Sequence, residues 1–487
     1  MSPRSRPRSP GTAGRLPSRL PRLAGLLALP ALCAGALAPA ALVAQQQPAP
    51  AASPATADGP LPARVAMERY ELPNGLKVIL AEDHSAQVVT VDVWYDVGAR
   101  NERPGRTGFA HLFEHMMFQG SANVKKGEHF QLVERAGGSM NGSTAADRTN
   151  YYQTLPSNRL NLGLWLESDR MRSLAITAEN LKNQQEAVKE ERRLRFDNQP
   201  YIGTVLLSLA SAYDPKTCFA YAHELIGSMD DLNAAQVEDV QAFFKQYYAP
   251  NNATLVVTGD FDPAEVKRLV QQYFGDIARV EAPPPVQCEQ QFSPGEQRRT
   301  VTDAKATLPA SFTIWRIPPV NHADTPALAF LATILGQGES SRLNRALARE
   351  AKAALGLQTF LNPIGDTRGP GTFGVLAIAN QGVAIDSLDR LLGKEVARIA
   401  AEGVSESELA KAKNAYRAQA IDTRQTSFGR AEAIHQAALF LGDPEAVNTD
   451  IKRYLAVTAA DIQRVARTYL RPENSVVTLI TPETPKP

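Results

Sequence analysis

Residues 247–252 read Tyr-Tyr-Ala-Pro-Asn-Asn, and residues 469–474 read Tyr-Leu-Arg-Pro-Glu-Asn. Both are a helix end, a Pro turn and an Asn, and their surroundings repeat with them at one offset. Asp239-Val240-Gln241 returns as Asp461-Ile462-Gln463 before the turn, and the strand-like run at 255–257 returns at 477–479 after it. Three features recurring in one order predict a duplicated domain. A Pro-rich stretch at 282–286 separates the copies and reads as a linker.

Within the first copy the apolar pattern changes period. Pro73-Asn74-Gly75 splits the apolar residues of 70–80 and marks a hairpin turn. From 88 to 97, Val89, Val91, Val93, Tyr95 and Val97 alternate with Thr90, Asp92 and Asp96 at the period of a half-buried strand. Helical patterns follow at about 108–118, 160–173 and 178–195, and another strand pattern at 253–258. Strands mixed with helices in this order predict an α+β fold of sheets covered by helices.

The chain has 487 residues, 44% hydrophobic and 21% charged, which is the composition of a globular protein too long for one ordinary core. With 52 basic and 51 acidic residues the net charge is +1, so there is no field to hold a nucleic acid, and none is expected as a partner. Six arginines and no acid fill the first 22 residues, and an apolar run at 23–43 ends at Ala44. We read 1–44 as a signal peptide and the Ala-, Pro- and Gln-rich 45–63 as a disordered linker. The chain is therefore expected to be exported and, after signal cleavage, soluble, with anchoring of the uncleaved apolar run in a membrane as the second reading; the compartment expected is a bacterial periplasm. The domains expected are 64–281, a linker at 282–295, and 296–487. Cys218 and Cys288 remain after processing, and spacing does not say whether they pair.

Chemistry concentrates at Gly108-Phe109-Ala110-His111-Leu112-Phe113-Glu114-His115. Two His four residues apart leave one face of a helix one turn apart, so two imidazoles can share a metal. Glu114 lies beside them, placed to act on a water rather than on the metal. Thr107 can cap this helix, and Leu112, Phe113, Met116 and Met117 give it a buried side. A catalytic zinc needs a third protein ligand. The acidic helix offers Glu186, Glu190 and Glu191, and the helix before it Glu167 and Asp169; spacing alone does not choose among them. There is no Gly-x-Ser-x-Gly elbow and no Gly-rich phosphate loop. The remaining His84, His129, His223, His322 and His435 are scattered and read as surface or satisfied structural residues.

The motif His111-x-x-Glu114-His115, with Gly137-Gly138-Ser139-Met140-Asn141, Thr149-Asn150-Tyr151-Tyr152, Leu166-Glu167-Ser168-Asp169-Arg170-Met171 and Glu186-Ala187-Val188-Lys189-Glu190-Glu191-Arg192-Arg193, resembles the pitrilysin or insulinase-type metallopeptidases. These include the mitochondrial processing peptidase, and the bacterial relatives of that enzyme are the nearest in pattern. The resemblance covers nearly all of the chain from about Arg64 onward. It selects Glu191 as the third Zn2+ ligand, with His111 and His115, and Glu114 as general base. A further acid of the family's pattern falls on position 184, which is Gln184 here.

The resemblance also implies two tandem homologous α+β domains, each a mainly antiparallel sheet covered by helices, together forming half of a clamshell. Only the first carries metal; at the repeat's offset the second reads Phe-Leu-Ala-Thr-Ile-Leu-Gly over 330–336, without ligands. The substrate is implied to be a peptide or unfolded segment that adds a strand beside the zinc, where 138–144 matches and Asn141 is a contact. The silent half of the family supplies an Arg and a Tyr to the substrate. Arg349 matches the first, but Leu355, or Leu357 in another register, stands where the Tyr belongs. The expected assembly is a homodimer, or a heterodimer with a metal-free homologous subunit. The expected activity is zinc endopeptidase; the alternative is a non-catalytic structural or chaperone-like subunit of a peptidase complex.

Overall fold

The computed structural model describes residues 59–289 and 295–483. The expected signal peptide, most of the linker after it, and residues 290–294 lie outside the described residues. Six strands form the first sheet: β1 (Glu68–Glu71), β2 (Lys77–Glu82), β3 (Val88–Tyr95), β4 (Ser139–Thr144), β5 (Thr149–Pro156) and β6 (Ala253–Gly259). Five form the second: β7 (Gln297–Asp303), β8 (Ala310–Ile317), β9 (Ala354–Leu361), β10 (Gly371–Ala379) and β11 (Ser475–Pro482). Their orders are β1-β2-β6-β3-β5-β4 and β7-β11-β8-β10-β9.

The duplication is visible in this topology. β2 and β6 are parallel, as are β7 and β11, and every other neighbouring pair is antiparallel. Leaving β1 aside, the two sheets have one strand order and one set of directions. The repeated Asn is the hinge of the motif in both copies. Asn252 Nδ2 donates to Tyr247 O at 2.9 Å and Asp96 O at 3.3 Å; Asn474 Nδ2 donates to Tyr469 O at 2.8 Å and Arg316 O at 2.7 Å. Each Asn closes the end of a helix and ties it to the end of a neighbouring strand, so the side chain is required twice.

Five helices of the first half matter to the site: α1 (Phe109–Met116), α2 (Glu128–Arg135), α3 (Leu160–Ser173), α4 (Ala178–Arg192) and α5 (Ile202–Ala210). Val89, Val91, Val93, Tyr95 and Val97, the alternating set read from the sequence, are fully buried, in one core with Leu112, Phe113 and Met116 of α1 and Leu164 of α3. α5 leaves its own half. Its Val205 and Leu209 pack on Phe312 and Ile314 of β8. Reciprocally, Ala431, Ile434 and Ala437 of the helix Ser427–Phe440 pack on Ile79 and Val256 of the first sheet. Each half thus covers part of the other's sheet, and a boundary in sequence is not a boundary in packing. Cys218 and Cys288 are joined in a disulfide, fastening the loop after α5 to the segment between the copies.

Candidate metal centre

α1 is buried on nearly every side, which is why it carries apolar residues at 109, 110, 112, 113 and 116 around its two His. Phe113 lies against Tyr248, with ring centroids 4.1 Å apart, and against Phe243 and Phe244. The expected cap is different from what the sequence implied. The residue before the helix is Gly108 at φ +81°, without a side-chain cap, and Thr107 instead donates its hydroxyl to Asp231 at 2.5 Å.

α4 brings the third donor. Thr177 caps it by accepting from Asn180 N at 3.1 Å. Its inward stripe is Leu181, Gln184, Val188, then Glu191, at steps of three and four residues, so Glu191 continues the row that packs on α1. His111 Nε2 stands 3.7 Å and His115 Nε2 3.3 Å from Glu191 Oε2. The other acids turn elsewhere. Glu186 pairs with Lys189 and Glu190 with Arg193, both more than half exposed, while Glu167 is locked to Arg170 and Asp169 accepts from Ser121 and Asn123. Among the described residues, His111, His115 and Glu191 are the group of three metal-ligating side chains whose donor atoms converge, all within 4.8 Å of one another.

These residues fit a metal. His115 Nε2 and Glu191 Oε2 are buried 3.3 Å apart, and neither has a hydrogen-bond partner. Unpaired buried polar atoms are costly unless something else satisfies them. Ligands ~2.0–2.2 Å from one zinc in a tetrahedron stand ~3.4 Å apart, close to the 3.7 and 3.3 Å that separate His111 and His115 from Glu191, in a set that lies within 4.8 Å. Burial, then the neighbouring His115, pushes His111 down to about 3, so its imidazole is neutral. Burial opposes charge on His115 but is outweighed by Glu191 and Glu114, which raise it; on Glu191 the His pair and Arg195 outweigh burial and lower it. Two carboxylates, Glu191 and Glu114, thus act on His115, while His111 is held as a neutral donor.

Three supporting groups surround the donors. Gln184 Oε1 lies 3.2 Å from His115 Nδ1, an acceptor that leaves Nε2 as the free lone pair. Arg195 pairs with Glu191 Oε1 at 2.9 Å. Thr144 Oγ1, from β4, donates to Glu114 Oε2 at 2.6 Å, while burial raises the Glu114 pKa. Arg195 follows Glu191 by one turn and was legible as an i, i+4 pair. Thr144 gave no signal, because strand alternation and chain folding bring it to Glu114.

The expected substrate contacts are placed as follows. Asn141 is on β4, the last strand of its sheet, three residues from Thr144 and so on the opposite face, beside Tyr152. Arg349 is exposed and paired with Glu339, and among the described residues it makes no hydrogen bond or ion pair with the His pair or Glu191. Leu355 is 63% exposed on β9, the last strand of the second sheet, and Leu357 is packed against the second core. In the second half the helix Thr325–Gly336 occupies the place of α1 and carries no His or Glu.

Comparison with known proteins agrees with this architecture. Residues 77–208 match the insulinase (peptidase family M16) model, and residues 234–416 match the M16 inactive domain. The chain belongs to this peptidase family. It is 29% identical to zinc protease PqqE of Helicobacter pylori, over 85% of this chain and 93% of that one. It is 24% identical to a probable mitochondrial-processing peptidase subunit beta of Arabidopsis thaliana, over 84% and 77%. A solved protease structure from Helicobacter pylori superposes with a TM-score of 0.81 at 28% identity, covering 86% of this chain and all of that one. A putative M16-like peptidase of Alicyclobacillus acidocaldarius, 18% identical, shares the fold with a TM-score of 0.74.

Proposed function

We propose that the chain is a zinc endopeptidase acting on peptides or unfolded protein segments. The observation that carries this reading is the convergence of His111, His115 and Glu191 beside the buried Glu114. His111, His115 and Glu191 would hold Zn2+, which would supply Lewis acidity to polarise the scissile carbonyl and acidify water. Gln184 and Arg195 orient two of those ligands. Glu114 takes the proton of the attacking water and passes it to the leaving amine. The Thr144 hydroxyl holds Oε2 of Glu114 and aims the carboxylate.

A substrate strand pairs with the free edge of β4, the strand that also supplies Thr144, which sets the scissile bond beside the base. Asn141 contributes through its place on that edge. Arg349 and the exposed Leu355 lie toward the edge strand of the second sheet, where a partner, either a second copy or a metal-free homologous subunit, completes the site. Export to a periplasm accords with the Arg-rich, apolar start of the chain and with the Cys218–Cys288 disulfide, which persists in an oxidising compartment.

The test is cleavage of a pool of unstructured peptides by the mature, zinc-loaded chain, read by mass spectrometry, with Glu114→Gln as control. Cleavage by the wild type and its loss in the variant support the reading. Equal cleavage by both, or zinc uptake with no cleavage even beside a homologous partner, favours the non-catalytic subunit instead.

A further inference from the structure

The N-terminal turn of α1 is held by a buried carboxylate that the zinc chemistry does not use. Glu102 has a fully buried side chain, and its two oxygens accept from Gly108 N and Ala110 N, each at 2.8 Å. These are amides that a helix start leaves without partners, and a negative charge there is favoured by the helix dipole. Behind Glu102 stands His223, 7% exposed, with Nε2 3.0 Å from Glu102 Oε2.

Both ring nitrogens of His223 face acceptors. Nδ1 is 2.8 Å from Phe219 O, and Nε2 is 3.0 Å from Ala99 O as well as from the Glu102 carboxylate. Carbonyl oxygens cannot donate, so a neutral ring would turn one lone pair onto an oxygen. Glu102 in turn is surrounded by donors on both oxygens, the arrangement of an ionised carboxylate. We infer that His223 is held as an imidazolium and that the His223–Glu102 ion pair is a positioning device for the helix that carries His111 and His115. This rests on the functional reading above for its consequence, not for its geometry.

The surroundings accord with a fixed charge pair. Burial works against charge on both groups: on His223 the hydrogen bond and charge of Glu102 and the two carbonyls outweigh it and raise the pKa, while on Glu102 burial raises the pKa against the lowering by His223 and the two amides. The other charged groups nearby are already engaged: Glu224 by Arg192, Asp147 by Arg100 and Arg368, and Asp231 by Thr107. The turn has no slack to adjust by itself. Gly108 and Gly227 pack backbone against backbone, and a Cβ at Gly108 would lie 2.5 Å from Ile226 O. Loss of the ion pair therefore loosens the turn instead of re-forming it.

The experiment combines two measurements on the full mature chain. Ring 15N spectra of histidine-labelled protein, with His223→Gln to assign the signal, report the charge state. Hydrogen exchange of the peptide covering α1 reports its positioning in wild type and Glu102→Gln. The expected result is a doubly protonated His223 ring at pH 7, α1 exchange accelerated about tenfold in Glu102→Gln, and a zinc affinity weakened about tenfold in that variant. A singly protonated ring at pH 7 in the wild type overturns the inference, as does unchanged α1 exchange in the variant. A wild type that takes up no zinc refutes the functional reading alone, since ring charge and exchange remain measurable without metal.

Discussion

Thr144 and Glu114 are joined by a 2.6 Å hydrogen bond that ties the proposed base to the edge strand of the first sheet. Thr144 is on β4 and Glu114 on α1, so one contact registers the strand on which a substrate would pair against the helix that would act on it. Thr144→Val keeps the shape and removes the donor. We expect kcat to fall about tenfold or more, from the loss of one hydrogen bond to a charged group, with zinc content unchanged. Steady-state kinetics with metal analysis of the same samples checks this; an unaltered kcat would show that the hydroxyl does not aim the base.

Gln184 occupies the position where the family's pattern has an acid, and its Oε1 meets His115 Nδ1. Gln184→Ala removes that acceptor and should weaken zinc binding by about 10- to 100-fold, the usual range for such outer partners. Gln184→Glu places a charged acceptor on the same nitrogen and should tighten it. Competition with a chelator of known affinity measures both, and no change in either variant would leave His115 oriented by packing alone.

Much of this site was legible in the sequence, and the residues show why. His111, Glu114 and His115 are local in sequence, so helical geometry alone put them together. Glu191 was not separable from Glu186 and Glu190 by spacing to the His pair. The signal was in its own helix: Leu181, Gln184 and Val188 form the buried row that Glu191 continues, while Glu186 and Glu190 are off that row and exposed. The repeat was legible because Asn252 and Asn474 each make two backbone hydrogen bonds that no similar residue replaces. Thr144, Glu102 and His223 were not legible as site residues. Their contacts cross from strand to helix or from loop to helix, and no periodicity records them. The exchange of α5 and the helix Ser427–Phe440 between the halves was equally hidden, since each is apolar enough to cover either sheet.

The two Asn residues should behave as copies in solution. Asn252→Ala and Asn474→Ala each take the side-chain donor from two part-buried backbone carbonyls, so each should destabilise the fold by about 1–3 kcal/mol. Urea unfolding of the two variants is the check. A large loss in one and none in the other would mean that the shared sequence pattern no longer carries a shared structural duty.

Acid should act on the second half through Glu408. Arg342 donates to both its oxygens, at 2.7 and 2.8 Å, and with Ser405 holds its carboxyl down to about 2. A lowered pKa gives stability that is present above the ordinary value of 4.5 and lost as pH falls through about 2. Glu408→Gln should therefore be less stable than wild type at pH 7, with the gap narrowing as the pH is lowered below 4.5. The pair is partly exposed, so the effect is modest. A gap that stays constant with pH would assign it to packing instead of charge.

The central claim is that this chain builds one metal site, from His111, His115 and Glu191. Its most direct test is the zinc content of the purified mature protein after dialysis, for wild type, Glu191→Gln and Glu190→Gln. The account predicts one zinc per chain in the wild type and in Glu190→Gln, and a large loss in Glu191→Gln, because Glu190 pairs with Arg193 on the exposed side of α4. Zinc retained in Glu191→Gln but lost in Glu190→Gln, or no zinc in the wild type, would contradict it.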